Sequence, residues 1–157
     1  MIYQALGRTD KARREYEEAL RIEPSFDVAL NNYATLLYAL ADFSHAQKCW
    51  EKATQASPLD SSYWFNLALT YVRTDQGAKA VSALNQVTIL NPRHSMAYSV
   101  LGVLKRESGD LKGALEAFNQ HLILSPDPTS ETSAIRTQTA DLRVLLGKHL
   151  SIPPNQP

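Results

Sequence analysis

Apolar and polar positions alternate along this chain with helical spacing, in paired segments. Apolar side chains recur three or four residues apart over stretches of about a dozen residues, the signature of amphipathic helices. Three pairs are predicted: 27–40 with 44–57, 61–74 with 77–90, and 95–108 with 111–124. Residues 9–22 read as a further helix, preceded by the last turns of another in residues 1–6. One more helix is predicted within 129–150, with Ile135, Leu142, Leu145 and Leu146 on one side and Thr, Ser, Gln, Asp and Arg on the other. The end, SIPPNQP, is expected to be a disordered tail over 151–157.

The pairs repeat with a fixed period. Pro24, Pro58, Pro92 and Pro126 stand 34 residues apart, as do Ala12, Ala46, Ala80 and Ala114. A large residue returns at Tyr16, Trp50, Leu84 and Phe118, and a second small position holds Ala34, Ala68 and Gly102. Ala19 and Ala53 start a further column that departs to Val87 and His121. Only size and period persist, which is the mark of packing. Small residues let two helices cross closely, and a larger side chain there would force them apart. Large residues fill the space beside each crossing. Each proline ends a unit by pushing the residue before it out of helical geometry. Ser25, Asp60 and Ser95 follow as expected caps of the next helix. Gly7, Gly77 and Gly109 are placed in the turns within pairs, where a positive φ is useful.

Self-similarity at this period resembles the tetratricopeptide repeat, a helix–turn–helix unit. Trp64, Leu67, Tyr71, Ala80 and Pro92 carry the match in one unit, and Leu101, Gly102, Gly109, Ala114, Phe118 and Pro126 in the next. The resemblance covers about residues 1–128 and implies an all-α fold, a right-handed α-solenoid of such units. The reading is one domain over 1–150: a partial first repeat at 1–26, full repeats at 27–60, 61–94 and 95–128, and a C-terminal capping helix at 129–150. Capping covers apolar surface that an open solenoid end leaves wet. The first unit lacks most of its first helix, so the chain is expected to be a fragment of a longer solenoid or to dock another chain at its open N-terminal end.

Composition narrows the function. Sixteen basic and sixteen acidic residues balance, so no nucleic-acid partner is expected. No apolar run is long enough for membrane insertion. The single cysteine, Cys49, excludes an internal disulfide framework and fixes no compartment. His45, His94, His121 and His149 make no ligand pair on one helical turn, so no metal and no cofactor are expected. No catalytic constellation is present, and the chain is not expected to be an enzyme. His121 and Cys49 read as packing residues.

In tetratricopeptide proteins, the resemblance implies, the first helix of each unit lines a concave groove that binds a peptide or a partner helix. By register, the groove candidates are Val28, Asn31, Asn32, Thr35 and Tyr38; then Ser62, Phe65, Asn66, Leu69, Val72 and Arg73; then Met96, Ser99, Val100, Val103 and Arg106. Phe65, Leu69, Val72, Met96, Val100 and Val103 suggest an apolar stripe, and contiguous exposed apolar surface marks binding. The alternative is that neighbouring helices cover half of them. Asn32 and Asn66, one period apart, are similar to the asparagine ladder of O-GlcNAc transferase solenoids, which breaks here at Val100. Their amides offer donor and acceptor to a peptide backbone or, alternatively, to adjacent helices. Family members that hold chaperone C-terminal carboxylates use groove cations. Of the matching positions Asn31, Thr35, Asn66, Met96 and Val100, only Asn66 fits, which disfavours that role.

The expected function is a non-catalytic scaffold that binds a protein or peptide partner in the groove, with Arg73, Arg106 and the asparagines orienting it. The alternative is a recruitment module of a larger enzyme or of a secretion or pilus assembly protein. Self-association through the N-terminal end is a third reading.

Overall fold

Eight helices and the turns between them make up the described part of a computed structural model, which covers residues 2–150 and the side chains of residues 8–147. They are α1 (Ile2–Ile22), α2 (Asp27–Ala39), α3 (Phe43–Ala56), α4 (Ser61–Arg73), α5 (Gly77–Leu90), α6 (Ser95–Glu107), α7 (Leu111–Leu124) and α8 (Ser130–Leu150). No strand occurs among the described residues. The chain divides into two compact units, Met1–Leu90 with α1 to α5 and Asn91–Pro157 with α6 to α8. The predicted tail lies outside the described residues.

In the first unit, α2 packs on α3, α3 on α4, and α4 on α5. The small columns sit at these crossings: Ala34, Ala46, Ala68 and Ala80 are fully buried. Leu30, Leu37, Trp50, Leu67 and Leu84 fill the space around them. Burying one such side chain stabilises the fold by about 1.5–3 kcal/mol. Trp64 and its register partner Tyr98 are less buried than Leu30, the first residue at that position. Trp64 is half-buried beside the turn, and its indole N–H donates to the Pro58 carbonyl at 2.9 Å. The α1 helix is held to α2 partly by polar contacts. The Tyr16 and Tyr33 rings lie 5.8 Å apart, and the Tyr33 hydroxyl donates to Glu17 at 2.8 Å.

In the second unit, α6 packs on α7 and α7 on α8. Ala114, Phe118, Ile135 and Leu142 form the core, with Val103, Leu111, Leu115 and Leu122 packed around it. The buried stripe of α8 is Thr132, Ile135, Thr139 and Leu142. Leu145, expected on that face, is exposed. At about 3.6 residues per turn it falls to one side of the stripe, whereas Leu146 stays on it and is half-buried. Thr129 and Thr132 bond reciprocally between side chains and backbone N–H groups at 2.8 and 3.1 Å, a capping box that starts α8.

Three other local expectations are corrected. First, α1 runs without a break through Gly7, where a turn was expected. Residues 1–6 make under about two helical turns, too little to bury a face against the rest of α1, so nothing offsets the cost of reversing the chain. Second, Gly77 is the first residue of α5 rather than part of a turn. The left-handed residue there is Asp75, with φ 57°, and its register partners are Ala41 at 60° and Gly109 at 86°. Third, Asp60 caps α4 through the Ser62 N–H as expected, but Ser25 and Ser95 cap nothing. Phe26 precedes α2 without a side-chain cap, and the His94 ring accepts the Ala97 N–H ahead of α6. Ser95 is the first residue of α6, and its hydroxyl lies 2.9 Å from His121 Nδ1 and 2.6 Å from the Ser125 hydroxyl.

Candidate functional site

The groove candidates of the first unit lie on α2 and α4. Asn31, Tyr38 and Arg73 among them turn toward α3 and contact its Trp50 or Phe43. Asn32, Thr35, Ser62 and Arg73 are exposed, as are Val28 and Val72, at 48% and 38%. Asn31, Tyr38, Phe65, Asn66 and Leu69 are half-buried. Phe65, Leu69 and Val72 follow one another at helical spacing on α4, and of the three only Val72 is exposed.

Asn31 ties this face to the core. Its side-chain oxygen accepts the Trp50 indole N–H at 3.0 Å and the Asn66 amide at 3.3 Å. Its own amide points to Asn32 at 3.5 Å, the outer limit of a hydrogen bond. Asn66 is thus spent on bonding α4 to α2, while the Asn32 side chain stays exposed. Thr35 and Thr70 donate back to the carbonyls of Asn31 and Asn66, at 2.8 and 2.9 Å.

Two more candidates join an aromatic cluster. Tyr38 packs edge-on against Phe43 at 5.1 Å and against Trp50 at 5.8 Å. The Arg73 guanidinium lies 5.1 Å from the centre of the Phe43 ring. This cation–π contact fixes the arginine and leaves its donors in water. Ser62 is committed to the cap, its hydroxyl and N–H both directed at Asp60.

The candidates of the second unit lie on α6, where α8 engages several. Val103 packs on the Phe118 and Ile135 core. The Arg106 guanidinium donates to Gln138 at 2.9 Å, and the nearly buried Ser99 hydroxyl donates to Glu131 at 3.1 Å. Met96 is exposed and Val100 half-buried.

A polar network behind α4 escaped the sequence reading. Glu51 accepts from Gln47 at 2.8 Å and from the Tyr71 hydroxyl at 3.0 Å, and Gln76 donates to Gln47 at 2.8 Å. Burial, then the Glu51 carboxylate, pushes the Tyr71 phenol up to about 12. The Cys49 thiol is pushed up by burial, which disfavours the reactive thiolate and agrees with a packing role. Among the described residues, no cluster of three or more His, Cys, Asp or Glu is placed to hold a metal, and no helix is long and apolar enough to cross a membrane.

Known proteins place this architecture. Two tetratricopeptide repeat family models match the chain, over residues 3–68 and 67–128. The human protein O-mannosyl-transferase TMTC3 is 26% identical over 112 residues, which are 71% of this chain and 12% of that protein. A crystal structure of MamA protein superposes with a TM-score of 0.76 at 17% identity, covering 98% of this chain and 92% of the other. The first tetratricopeptide domain of Spaghetti (RPAP3), bound to the HSP90 peptide SRMEEVD, superposes at 0.68 and 24% identity, covering 74% and 93%. These neighbours share the fold of a helical solenoid. With its repeat register, its buried small columns and family models that together span residues 3–128, this chain belongs to the tetratricopeptide repeat family.

Proposed function

We propose that the chain is a protein-interaction scaffold and that the α2 and α4 face of its first unit is where a partner segment binds. Family membership supports the scaffold role. One observation carries the finer reading: exposed Asn32, Thr35 and Val72 share this face with the half-buried apolar side chains Phe65 and Leu69. Burial of the apolar side chains supplies affinity, and Asn32, whose side-chain oxygen lies 3.5 Å from the Asn31 amide, offers its exposed amide group to a peptide backbone. Asn31 and Asn66 position the face rather than contact the partner. The Arg73 donors orient an acidic or carbonyl group of the ligand.

A chaperone carboxylate tail is not the favoured ligand. The RPAP3 domain binds an HSP90 peptide, but the likeness is one of fold. Here the candidate positions on α2 and α4 hold Asn31, Thr35 and Asn66 in place of cations.

A second reading has its own support. The chain spans 12% of the length of the TMTC3 relatives it matches, and these are named as transferases. The same face then recruits a substrate or partner protein for a larger enzyme.

Capture of partners from a lysate of the source cell tests the site. The variant pairs Val72→Asp with Asn32→Ala, both at exposed positions, and its helicity is matched to wild type by circular dichroism. A partner held by the wild type and lost by the variant is the expected result. Equal capture by both would remove this face from the account.

A further inference from the structure

Within the first unit, α1 is docked differently from α3 and α5. Its column residues Ala12, Tyr16 and Ala19 are half-buried. Their register partners on α3, Ala46, Trp50 and Ala53, are buried, as are Ala80, Leu84 and Val87 on α5. The cause is the neighbour each helix has. The α3 and α5 helices pack on the first helix of their own pair, α2 and α4, whereas α1 packs on α2, the first helix of the following pair. The column face that α2 and α4 cover on α3 and α5 therefore stays half open on α1. Space also remains beneath it: a cleft of about 370 Å³ opens where α1 meets α2 and α3, with Leu20, Leu30, Tyr33 and Cys49 in its lining.

A polar cluster makes up part of the difference. The Arg13 Nε donates to the Tyr33 hydroxyl at 3.3 Å, and that hydroxyl donates to Glu17 at 2.8 Å. The Arg13 guanidinium also lies 3.6 Å from a carboxylate oxygen of Asp42. Asp42 is anchored on α3, because it accepts the His45 N–H as a helix cap and lies 2.8 Å from His45 Nδ1. Arg13 thus reaches from α1 to α2 and to the cap of α3, and Glu17 reaches to α2.

These charges are partly solvated: the Arg13 and Asp42 side chains are 42% and 31% exposed. Salt screens such pairs, whereas it does not screen the apolar burial that holds α3 and α5. The docking of α1 therefore rests on weaker and more salt-sensitive contacts than the docking of its neighbours. Segments held in this way open below the free energy of global unfolding.

We propose that α1 opens from α2–α5 as a unit, and that Arg13, Glu17, Tyr33 and Asp42 form the latch that sets how often it does. Opening bares the cleft side of Leu30, Tyr33 and Cys49, so ionic strength controls access to an apolar surface. The device is independent of the groove reading, which concerns other residues.

Native-state hydrogen exchange of the whole chain tests the proposal, with the amides of residues 12–22 followed against those of α3 and α5. Faster exchange in α1, through an opening that leaves α3 and α5 protected, is expected. Raising sodium chloride from about 0.02 to about 0.5 M should increase that opening by about threefold or more. Arg13→Gln, and Tyr33→Phe, which keeps the ring, should each increase it by about three- to tenfold at low salt. The salt effect should be lost from Arg13→Gln. Lys11→Gln is the control: it breaks only the Lys11–Glu15 pair inside α1, at 3.9 Å, and should change the opening by about twofold or less. Exchange of α1 at the same rate as α3 and α5 in the wild type would contradict a separate opening. An α1 rate that neither Arg13→Gln nor Tyr33→Phe moves, or that Lys11→Gln moves as much, would remove the latch.

Discussion

The indole N–H of Trp50 donates to the side-chain oxygen of Asn31 at 3.0 Å, joining a core tryptophan to the candidate binding face. Trp50 is buried, so its donor has no water to fall back on. Asn31→Leu is therefore expected to destabilise the fold by about 1–3 kcal/mol, the cost of an orphaned buried donor. Asn32→Leu, at an exposed position one residue on, is expected to change stability by under about 0.5 kcal/mol. Urea unfolding of the two variants measures the contrast. Equal effects would show that Asn31 is not a structural residue.

Backbone conformation at the turns gives a second prediction. Ala41, Asp75 and Gly109 occupy one register position, all with positive φ. A left-handed conformation costs a residue with a side chain about 1–2 kcal/mol, and glycine little. Ala41→Gly is expected to stabilise the protein by up to about 1 kcal/mol, and Gly109→Ala to destabilise it by about 1 kcal/mol. A Cβ at Gly109 would meet nothing within 4 Å, so the second effect isolates the backbone. Thermal melts of both variants give the signs.

Gly102 makes a steric prediction. A Cβ built there would stand 2.3 Å from the ring of Phe118, which is fully buried and cannot swing aside. Gly102→Ala is expected to cost about 1–3 kcal/mol despite the better helix propensity of alanine. Adding Phe118→Leu should make the two changes non-additive, the alanine costing less in that background. A double-mutant cycle reads the coupling, and strict additivity would contradict the contact.

Asp27 predicts a pH dependence. Its carboxylate accepts from the Ser57 hydroxyl and from the Val28 N–H at 2.7 Å, and these bonds, Ser57 first, hold its pKa below the usual carboxylate value. A depressed carboxylate stabilises the fold fully above its unfolded pKa of about 4, and the gain is lost as pH falls through the lower folded value. Ser57→Ala should therefore be less stable than wild type at neutral pH, with the gap closing under acid. A gap constant with pH, followed by urea unfolding, would rule out a contribution from the charged form.

The solenoid was legible because its packing is written in residue size. Alanine or glycine at 34, 46, 68, 80, 102 and 114 lies buried at the crossings, as the columns require. What escaped the sequence depended on context. Gly7 shares the register of Ala41, Asp75 and Gly109, yet helix α1 continues through it. Asp42 and Asp110 cap α3 and α7 through His45 and Gly113, a signal carried by aspartates 68 residues apart that the proline-centred reading passed over. Register placed the candidate residues on α2, α4 and α6, the first helix of each pair, but did not rank them. Asn31, Asn66 and Ser62 differ from Asn32 only in what their neighbours ask of them, and those neighbours come from elsewhere in the chain.

Site-specific photo-crosslinking tests the central claim most directly. A benzophenone side chain is placed at Thr35 or Val72 on the proposed face, and at Gln55 or Ile89 on exposed positions of the second helices α3 and α5. In source-cell lysate, the account predicts one shared adduct from Thr35 and Val72 that is absent from Gln55 and Ile89. An adduct formed from Gln55 or Ile89 and missing from Thr35 and Val72 would place the partner on the second helices and contradict the account.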